Sequence, residues 1–374
     1  MRTNITDRYY RTLAYLDTDR VPDIEFGYWP QTVRRWIKEG LDFQPTAAER
    51  TAMFIGRLDQ QLGFDSLQWA GLNLRTGMLP PFEEQVIEKR PKSTIVRDAN
   101  GVLAERFMDD GEECSIPHFI KFPVEGPPDW KKLKERYGLD HPGRQIPQSE
   151  IEAAQASAAD GKVITVGITG PYGQLRDWMG FENVSVAFYD YPDMIHEMLE
   201  HMAELIVAQI RRLPSDFVID YSTWWEDMAS KNGPFVSPSM FREFLQPFYR
   251  TVMTELRKHG GDLALVDCDG DPSDLVPIWL EEGVNVMFPA EVAAGVDPYQ
   301  WRRRHGKELR IRGAIAKAPL VEGGLAIDRE LERMRPLLDQ GGYIPHLDHL
   351  VPPNISYKNY CYYLEKKRKL IGKA

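Results

Sequence analysis

Short apolar segments that alternate with longer amphipathic segments are the feature that most constrains the fold of this 374-residue chain. There are about eight such segments, each followed by a loop and then by a pattern typical of a helix. A regular alternation of strands and helices predicts βα units around a parallel sheet, and eight units favour a closed barrel over an open sheet. We therefore predict an α/β fold: one (β/α)8 TIM barrel domain over residues 1–374. The predicted strands cover residues 21–27, 66–70, 163–167, 217–221, 263–266, 284–288, 309–313 and 343–345.

Between the second and third predicted strands lies a region with a different pattern. Residues 85–88, 94–97 and 102–105 alternate with the period of two that is typical of strands. Residues 98–101, which contain an Asn-Gly pair, join the last two as a tight turn. We predict an antiparallel β-hairpin insertion over about residues 84–107.

Charge and cysteine content limit the partners and the compartment. The net charge of −10 argues against nucleic acid and against an anionic membrane surface as main partners. The three cysteines, Cys114, Cys268 and Cys361, are widely spaced and odd in number, so they imply no disulfide framework. No apolar run is long enough to span a bilayer, and residues 1–7 lack the apolar core of a signal peptide. We expect a cytoplasmic protein, and a homodimer is allowed but not required.

The end of the fifth apolar segment carries an unusual set of polar residues, Asp267-Cys268-Asp269. Two carboxylates at the end of a buried strand need a partner, which is commonly a metal ion or a polar substrate. Asp267 and Asp269 point to the same side of an extended chain, and Cys268 points to the other, where it packs. Asp271 followed by Pro272 is typical of a helix N-cap and first helical residue.

The other predicted strands also end in acidic, histidine and large aromatic residues. Carboxylates and imidazoles are ligand types for a divalent ion such as zinc, and aromatics at a barrel mouth suit a flat apolar substrate. Other interpretations stay open: the aromatics are core residues, Glu226 pairs with Lys231, Glu291 caps the next segment, or His349 is an ordinary loop histidine. The strand-end residues are Glu25, Tyr28, Trp29, Trp69, Asn73, Thr169, Tyr172, Gln174, Trp224, Trp225, Glu226, Asp227, Asp267, Cys268, Asp269, Glu291, Lys317, His346, Asp348 and His349.

Several motifs make the chain resemble the uroporphyrinogen decarboxylase superfamily. The resemblance extends over most of the chain and is strongest from about residue 165 onward. It implies a (β/α)8 barrel and an enzyme, because the superfamily contains both decarboxylases and corrinoid-dependent methyltransferases. The motifs lie at residues 19–22, 167–172, 225–229, 237–241, 341–345 and 351–353.

Departures from the superfamily pattern favour the methyltransferase branch. True uroporphyrinogen decarboxylases carry an arginine-rich segment after the first strand, but residues 25–30 here are Glu-Phe-Gly-Tyr-Trp-Pro. An acidic, aromatic mouth has the wrong charge for a substrate with eight carboxylates. The zinc-dependent methyltransferases carry His-x-Cys after the fifth strand and a Cys near the eighth. Those positions fall on Asp267, Asp269 and His349, so the ligand types differ although each can bind metal.

The resemblance leads to the hypothesis of a metal-dependent methyltransferase that takes the methyl group from a small methylated substrate, such as an aryl methyl ether. A corrinoid on a separate partner protein accepts the methyl group, because this chain shows no cobalamin domain. The metal, zinc in this hypothesis, polarises the substrate oxygen. Glu226 orients the substrate or supplies a proton, with Asp227 beside it. The predicted metal ligands are Asp267, Asp269, Glu291 and His349; the predicted catalytic residues are Glu226 and Asp227; and the predicted substrate-binding residues are Tyr28, Trp29, Trp69, Tyr172, Trp224 and Trp225.

Two alternatives remain. A metal-free decarboxylase of a porphyrin-like or smaller carboxylic acid predicts arginines that converge on the barrel mouth, with Arg34, Arg75 and Arg176 as candidates. A non-catalytic binding protein would keep the aromatics but would show neither metal nor turnover.

Overall fold

A parallel sheet of seven strands forms the centre of the computed structural model, which describes residues 5–45, 51–67, 69–109, 112–113 and 117–373. Within these residues the strands are β1 (Trp69–Leu72), β2 (Gln85–Lys89), β3 (Ser93–Arg97), β4 (Leu103–Asp109), β5 (Glu112–Glu113), β6 (His118–Lys121), β7 (Val163–Thr169), β8 (Ile219–Trp225), β9 (Ala229–Ser230), β10 (Gly233–Pro234), β11 (Gly260–Asp267), β12 (Val286–Phe288), β13 (Arg310–Ile315) and β14 (Tyr343–Leu347). The helices are α1 (Ile5–Leu13), α2 (Pro30–Lys38), α3 (Thr51–Gln61), α4 (Pro127–Lys134), α5 (Gln148–Ala159), α6 (Pro171–Met179), α7 (Phe181–Asp190), α8 (Pro192–Ile210), α9 (Pro238–Met240), α10 (Gln246–Leu256), α11 (Val276–Glu282), α12 (Pro298–His305), α13 (Ala318–Glu322), α14 (Leu325–Gln340) and α15 (Tyr357–Leu370), with a π-helical turn at Phe241–Leu245.

The parallel strands run in the order β1-β7-β8-β11-β12-β13-β14, with helices between successive strands. The predicted α/β barrel architecture is therefore confirmed. Its strands are apolar on both faces because each inner face lines the barrel and each outer face packs on helices. In α8, the apolar side chains recur at helical spacing and are buried in the core that also contains strand residues. No helix in the described part of the chain is long and apolar enough to cross a membrane.

The predicted first strand, residues 21–27, does not form a regular strand. Its neighbourhood makes a parallel bridge, Tyr28 with Val351, between the residue pair before α2 and the loop that follows β14. Pro22 lacks an N–H, and the carboxylate of Glu25 accepts the Leu347 N–H at 2.9 Å in place of a backbone carbonyl. Side chains thus replace part of the strand ladder, and this segment closes the barrel without regular pairing.

The antiparallel insertion is larger than its predicted span. The predicted hairpin corresponds to β2, β3 and β4, with the Asn-Gly turn between the last two, and β5 and β6 extend the sheet to Lys121. Val86 and Ile87 on β2 are more than half exposed. This sheet is not hydrogen-bonded to the parallel strands.

Two segments lie differently from their prediction. β8 is Ile219–Trp225 rather than 217–221, because Ser222 and Thr223 interrupt the apolar pattern without ending the strand. The prediction that Asp271 caps a helix is wrong, since α11 begins only at Val276. Asp271 instead accepts a hydrogen bond from the Ser273 N–H at 3.1 Å and stabilises the turn before that helix.

The barrel interior has its own small core, separate from the sheet–helix core. Alternate residues of the strands, such as Val163, Tyr221 and Leu265, point inward, and Tyr9 and Leu13 of α1 pack against them. The remaining strand residues pack outward against helices. This alternation decides which side chains line the mouth.

Candidate functional site

Three aspartates meet at the carboxyl end of the parallel sheet. Asp227, Asp267 and Asp269 each offer a carboxylate oxygen, and these oxygens all lie within 4.8 Å of one another. We call these residues the acidic triad. Among the described residues, this is the cluster of metal-ligand side chains that the chain folding brings together. The prediction that Asp267 and Asp269 share one side of the chain is confirmed, and Cys268 is buried on the other side.

Backbone geometry holds the triad in place. Asp267 ends β11, and its carbonyl accepts hydrogen bonds from Glu226 N at 2.9 Å and Asp227 N at 3.3 Å. Asp227 follows β8 with a positive φ of 47°, an uncommon conformation that turns its side chain toward the neighbouring strand. Its Oδ1 accepts a hydrogen bond from Asp269 N at 3.4 Å. Two adjacent parallel strands therefore deliver all three carboxylates to one point.

The triad concentrates negative charge in a partly buried place. Burial and then repulsion from Asp227 and Asp269 raise the pKa of Asp267 to about 7. Burial and Asp269 also raise the pKa of Asp227, against the effect of Arg176. Arg176 donates to the Asp227 carbonyl at 2.6 Å and to its Oδ2 at 3.2 Å. One guanidinium does not balance three carboxylates, so the group suits either shared protons or a bound divalent cation.

His349 lies beside the triad, as the resemblance predicted. It follows β14, and its Nε2 is 3.2 Å from Asp269 Oδ2. The hydrogen bond that His349 donates to the Asp269 carboxylate raises the pKa of His349, although burial acts in the opposite direction. A neutral imidazole at this distance can act as a fourth ligand next to Asp269.

Glu291 lies near the triad but has partners of its own. Its Oε2 accepts a hydrogen bond from Gly270 N at 3.1 Å, and its Oε1 is 3.4 Å from Lys317 Nζ. Lys317 is also 3.6 Å from Asp348 Oδ1. Glu291 is not part of the triad in this arrangement, and a role as ligand would require it to leave Lys317.

Glu226 points away from the mouth and is fully buried. Its carboxylate accepts hydrogen bonds from the Tyr249 hydroxyl and from Gly173 N, the latter at 2.8 Å. Burial raises the pKa of Glu226 to about 7 despite these hydrogen bonds. A Cβ at Gly170 would come within 2.3 Å of the Glu226 carboxyl carbon, so only glycine fits there. Glu226 therefore joins the loops after β7 and β8, one residue from Asp227, without facing the opening.

The predicted substrate-binding aromatics separate into two groups. Tyr28, Tyr172 and Trp224 are completely buried or nearly so and pack in the core. Trp29 is 38% exposed at the rim, while Trp69 and Trp225 are half-buried on the inner face of the barrel. The Arg176 guanidinium carbon lies 4.7 Å from the centre of the Trp225 ring system. Only this second group is placed to touch a ligand.

The arginines proposed for a decarboxylase do not converge. Arg176 is at the mouth, but Arg75 pairs with Glu150 and Arg34 is exposed on α2. Sequence reasoning also overlooked an arginine inside the barrel, Arg312, whose Nε donates to His346 Nε2 at 3.2 Å. Its alternation with apolar residues in β13 could have indicated an inward side chain.

Comparison with known proteins agrees with this architecture. A structure of a methyltransferase from Methanosarcina mazei has the same fold, with a TM-score of 0.60 at 13% identity over 98% of both chains. The uroporphyrinogen decarboxylase of Xanthomonas axonopodis pv. citri (strain 306) is 22% identical over 226 residues, 53% of this chain and 58% of that protein. This chain thus matches somewhat over half the length of that relative. The family model described as "Uroporphyrinogen decarboxylase (URO-D)" matches residues 109–369, and the chain belongs to this enzyme family.

Proposed function

We propose that this protein is a metal-dependent methyltransferase that moves a methyl group from a small methylated substrate, such as an aryl methyl ether, to a corrinoid on a partner protein. The observation that carries the proposal is the acidic triad with His349 beside Asp269. Three carboxylates and one imidazole form a donor set that fits a hard or borderline divalent cation, of which zinc is our first expectation. Such a cation, when bound, supplies Lewis-acid polarisation of the ether oxygen.

The residues around the triad hold its carboxylates in position and provide an apolar surface for a substrate. Arg176 holds Asp227 through its carbonyl and Oδ2, and the Asp269 N–H donates to the other oxygen, Oδ1, so the Asp227 carboxylate is held beside Asp269. Glu226 and Tyr249 anchor the loop that carries Asp227. Trp225 offers an apolar face next to the carboxylates, where the ring of a substrate can exclude water from the ether bond.

Metal binding by purified protein tests the donor set. Asp227→Asn, Asp267→Asn and Asp269→Asn each remove one negatively charged ligand, and we expect each to weaken zinc or manganese affinity by about 10- to 100-fold in calorimetric titration. Asp271→Asn is the matched control, because Asp271 lies on the same loop and binds only its own turn. Equal affinity in wild type, the control and all three triad variants would contradict the site.

Methyl transfer tests the reaction itself. Wild-type protein with bound metal, an aryl methyl ether and free cob(I)alamin should form methylcobalamin, followed by its absorption spectrum, and Asp269→Asn should form it much more slowly. If the protein binds metal but transfers no methyl group from any of a panel of ethers, amines and thiols, the metal site is supported and the methyltransferase activity is refuted.

Decarboxylation is the second candidate, and Arg176 at the mouth is the observation that favours it. The acidic triad opposes it, since a carboxylated substrate would meet like charges there. Release of carbon dioxide from an aromatic or pyrrole carboxylic acid, without corrinoid or metal, would establish this alternative.

A further inference from the structure

The inner face of the barrel is open along β1 and β7. Gly71 and Gly167 point inward yet are exposed to solvent. Within 4 Å, a Cβ at Gly71 would meet only Thr165 Oγ1, at 3.9 Å, and one at Gly167 would meet only Thr223 Oγ1, at 3.7 Å. Barrels of this type are usually filled by layers of side chains. Here two glycines leave a space that extends from the mouth into the interior.

The floor of this space is aromatic. The rings of Trp69 and Tyr221 stack with centroids 5.6 Å apart and an interplanar angle of 22°. Tyr9 from α1 meets the Trp69 ring edge-on at 4.9 Å, and its hydroxyl is 2.8 Å from the Tyr221 hydroxyl. A flat apolar molecule that enters from the mouth therefore meets rings below it and threonine hydroxyls at its side.

One positive charge lies beside this floor. Arg312 on the inner face of β13 donates from Nη1 to the Tyr9 hydroxyl at 3.4 Å, and its guanidinium carbon is 4.6 Å from the Phe288 ring centre. No carboxylate oxygen of a described residue lies within 4.0 Å of its nitrogens, and its hydrogen bonds go to neutral groups of His346, Tyr9 and Tyr221. A largely buried guanidinium whose hydrogen-bond partners are all neutral favours a negatively charged ligand.

A neighbouring histidine holds this guanidinium in place. Nδ1 of His346 lies 2.6 Å from the Leu347 carbonyl, to which it can only donate, so Nε2 is free to accept the Arg312 Nε–H at 3.2 Å. Burial, and then the charge of Arg312, lower the pKa of His346 well below its ordinary value. The histidine stays neutral and fixes the direction of Arg312, which makes it a positioning residue.

Asp267 is the other charged group that faces Arg312 across the interior. It is not within ion-pair distance of Arg312, and in the proposed function its charge is committed to the cation at the triad. In the proposed function the barrel then has a cation site at its mouth and, near its floor, an arginine without an ion-pair partner among the described residues.

We propose that the substrate of this site is an aromatic carboxylate whose carboxylate binds Arg312 and whose ring lies between Trp69, Phe288 and Trp225. This inference rests on the proposed function only in placing the methyl ether at the acidic triad. The carboxylate site itself stands on the cavity and on Arg312.

Calorimetric binding of matched probes tests the inference without turnover. With metal-loaded wild-type protein, para-methoxybenzoate should bind at least about 10-fold more tightly than para-methoxybenzyl alcohol, which has the same ring and ether but no charge. Arg312→Gln should remove this preference and leave the weak binding of the alcohol. Arg310→Gln is the matched control, because Arg310 shares the strand and face but its guanidinium bonds to the Leu13 and Glu308 carbonyls and not to Tyr9 or His346.

The outcomes separate the two proposals. Equal affinity for the two probes in wild type overturns the inference even if Arg312→Gln does not fold. A preference that survives in Arg312→Gln but disappears in Asp269→Asn also overturns it, because the carboxylate would then bind the metal at the mouth. Preferential binding of unmethylated benzoate through Arg312, together with no methyl transfer, supports the carboxylate site and refutes the methyltransferase.

Discussion

Removing one carboxylate from the acidic triad should make the metal-free protein more stable at neutral pH. In the folded protein the pKa of Asp267 is about 7, because burial and the two neighbouring aspartates disfavour its charge, whereas its ordinary value is 3.8. Between these values the folded state retains a proton that the unfolded state has released. The free energy of unfolding therefore falls as the pH rises from about 4 to about 7, and it levels off above that range.

The magnitude follows from the interval between the two pKa values. At about 1.4 kcal/mol for each pH unit, the cost of ionising Asp267 in the folded state reaches about 4 kcal/mol. We take this as an upper bound, because water entering the open mouth reduces the cost. Asp267→Asn keeps the shape and removes the charge. The free energy of unfolding of the variant should equal that of wild type near pH 4.5. At pH 8 it should be about 1–4 kcal/mol higher than that of wild type.

Urea denaturation between pH 4.5 and 8, in the presence of a chelator, measures this difference. Asp271→Asn serves as the control, since its side chain lies outside the triad and its profile should run parallel to that of wild type. If Asp267→Asn also runs parallel to wild type over the whole range, the three carboxylates do not repel one another in the folded protein. The structural basis for a cation site would then be lost.

Three further predictions concern the metal, the cavity and the base of the barrel. Metal affinity should rise between pH 5 and 8, because the cation displaces protons that the triad holds with raised pKa values, and titrations at several pH values measure this. Gly167→Val should leave thermal stability unchanged or slightly higher, yet weaken binding of para-methoxybenzoate by more than about 10-fold in calorimetry, because it fills the cavity; unchanged affinity would exclude a ligand there. Asp23→Asn should lower the free energy of unfolding by about 3–5 kcal/mol in urea, because Lys367 and two other cations bind this buried carboxylate. Although burial opposes it, Lys367 and these other cations hold the pKa of Asp23 at about 2, so its stabilisation should disappear between about pH 4 and 2.

The sequence predicts most of the strands, because a buried strand is apolar on both faces. The strand prediction fails at segments where polar side chains lie within or beside a strand. Ser222 and Thr223 ended the predicted fourth strand too early: Thr223 carries its hydroxyl on the inner face, and Ser222 on the outer face accepts a hydrogen bond from Trp224 Nε1. At the first strand the error is opposite: residues 21–27 have the apolar pattern, but Glu25 replaces a backbone acceptor by its side chain.

The candidate site could be predicted from the sequence only in part, again because the positions of polar side chains depend on the folded backbone. Asp267 and Asp269 are two residues apart, so local geometry places them together, and the family resemblance brought His349 to them. Asp227 was noted at a neighbouring strand end, but its contribution to the same cluster depends on a left-handed backbone conformation that its sequence does not reveal. Arg312 was read only as part of a strand, although charge at an inward position is costly and therefore informative.

If the proposed aromatic carboxylate is the substrate, the positions of these charges favour methyl transfer over decarboxylation. The floor of the barrel is closed by α1, so a large cofactor on another protein can approach a bound substrate only from the mouth. A substrate whose carboxylate binds Arg312 presents its opposite end at the acidic triad. Its methyl ether is then at the open end, where the corrinoid of the proposed function would approach, and its carboxylate is at the closed end, away from the triad. The same orientation that suits methyl transfer therefore protects the carboxylate from reaction, and a decarboxylase would require the substrate to bind the other way round.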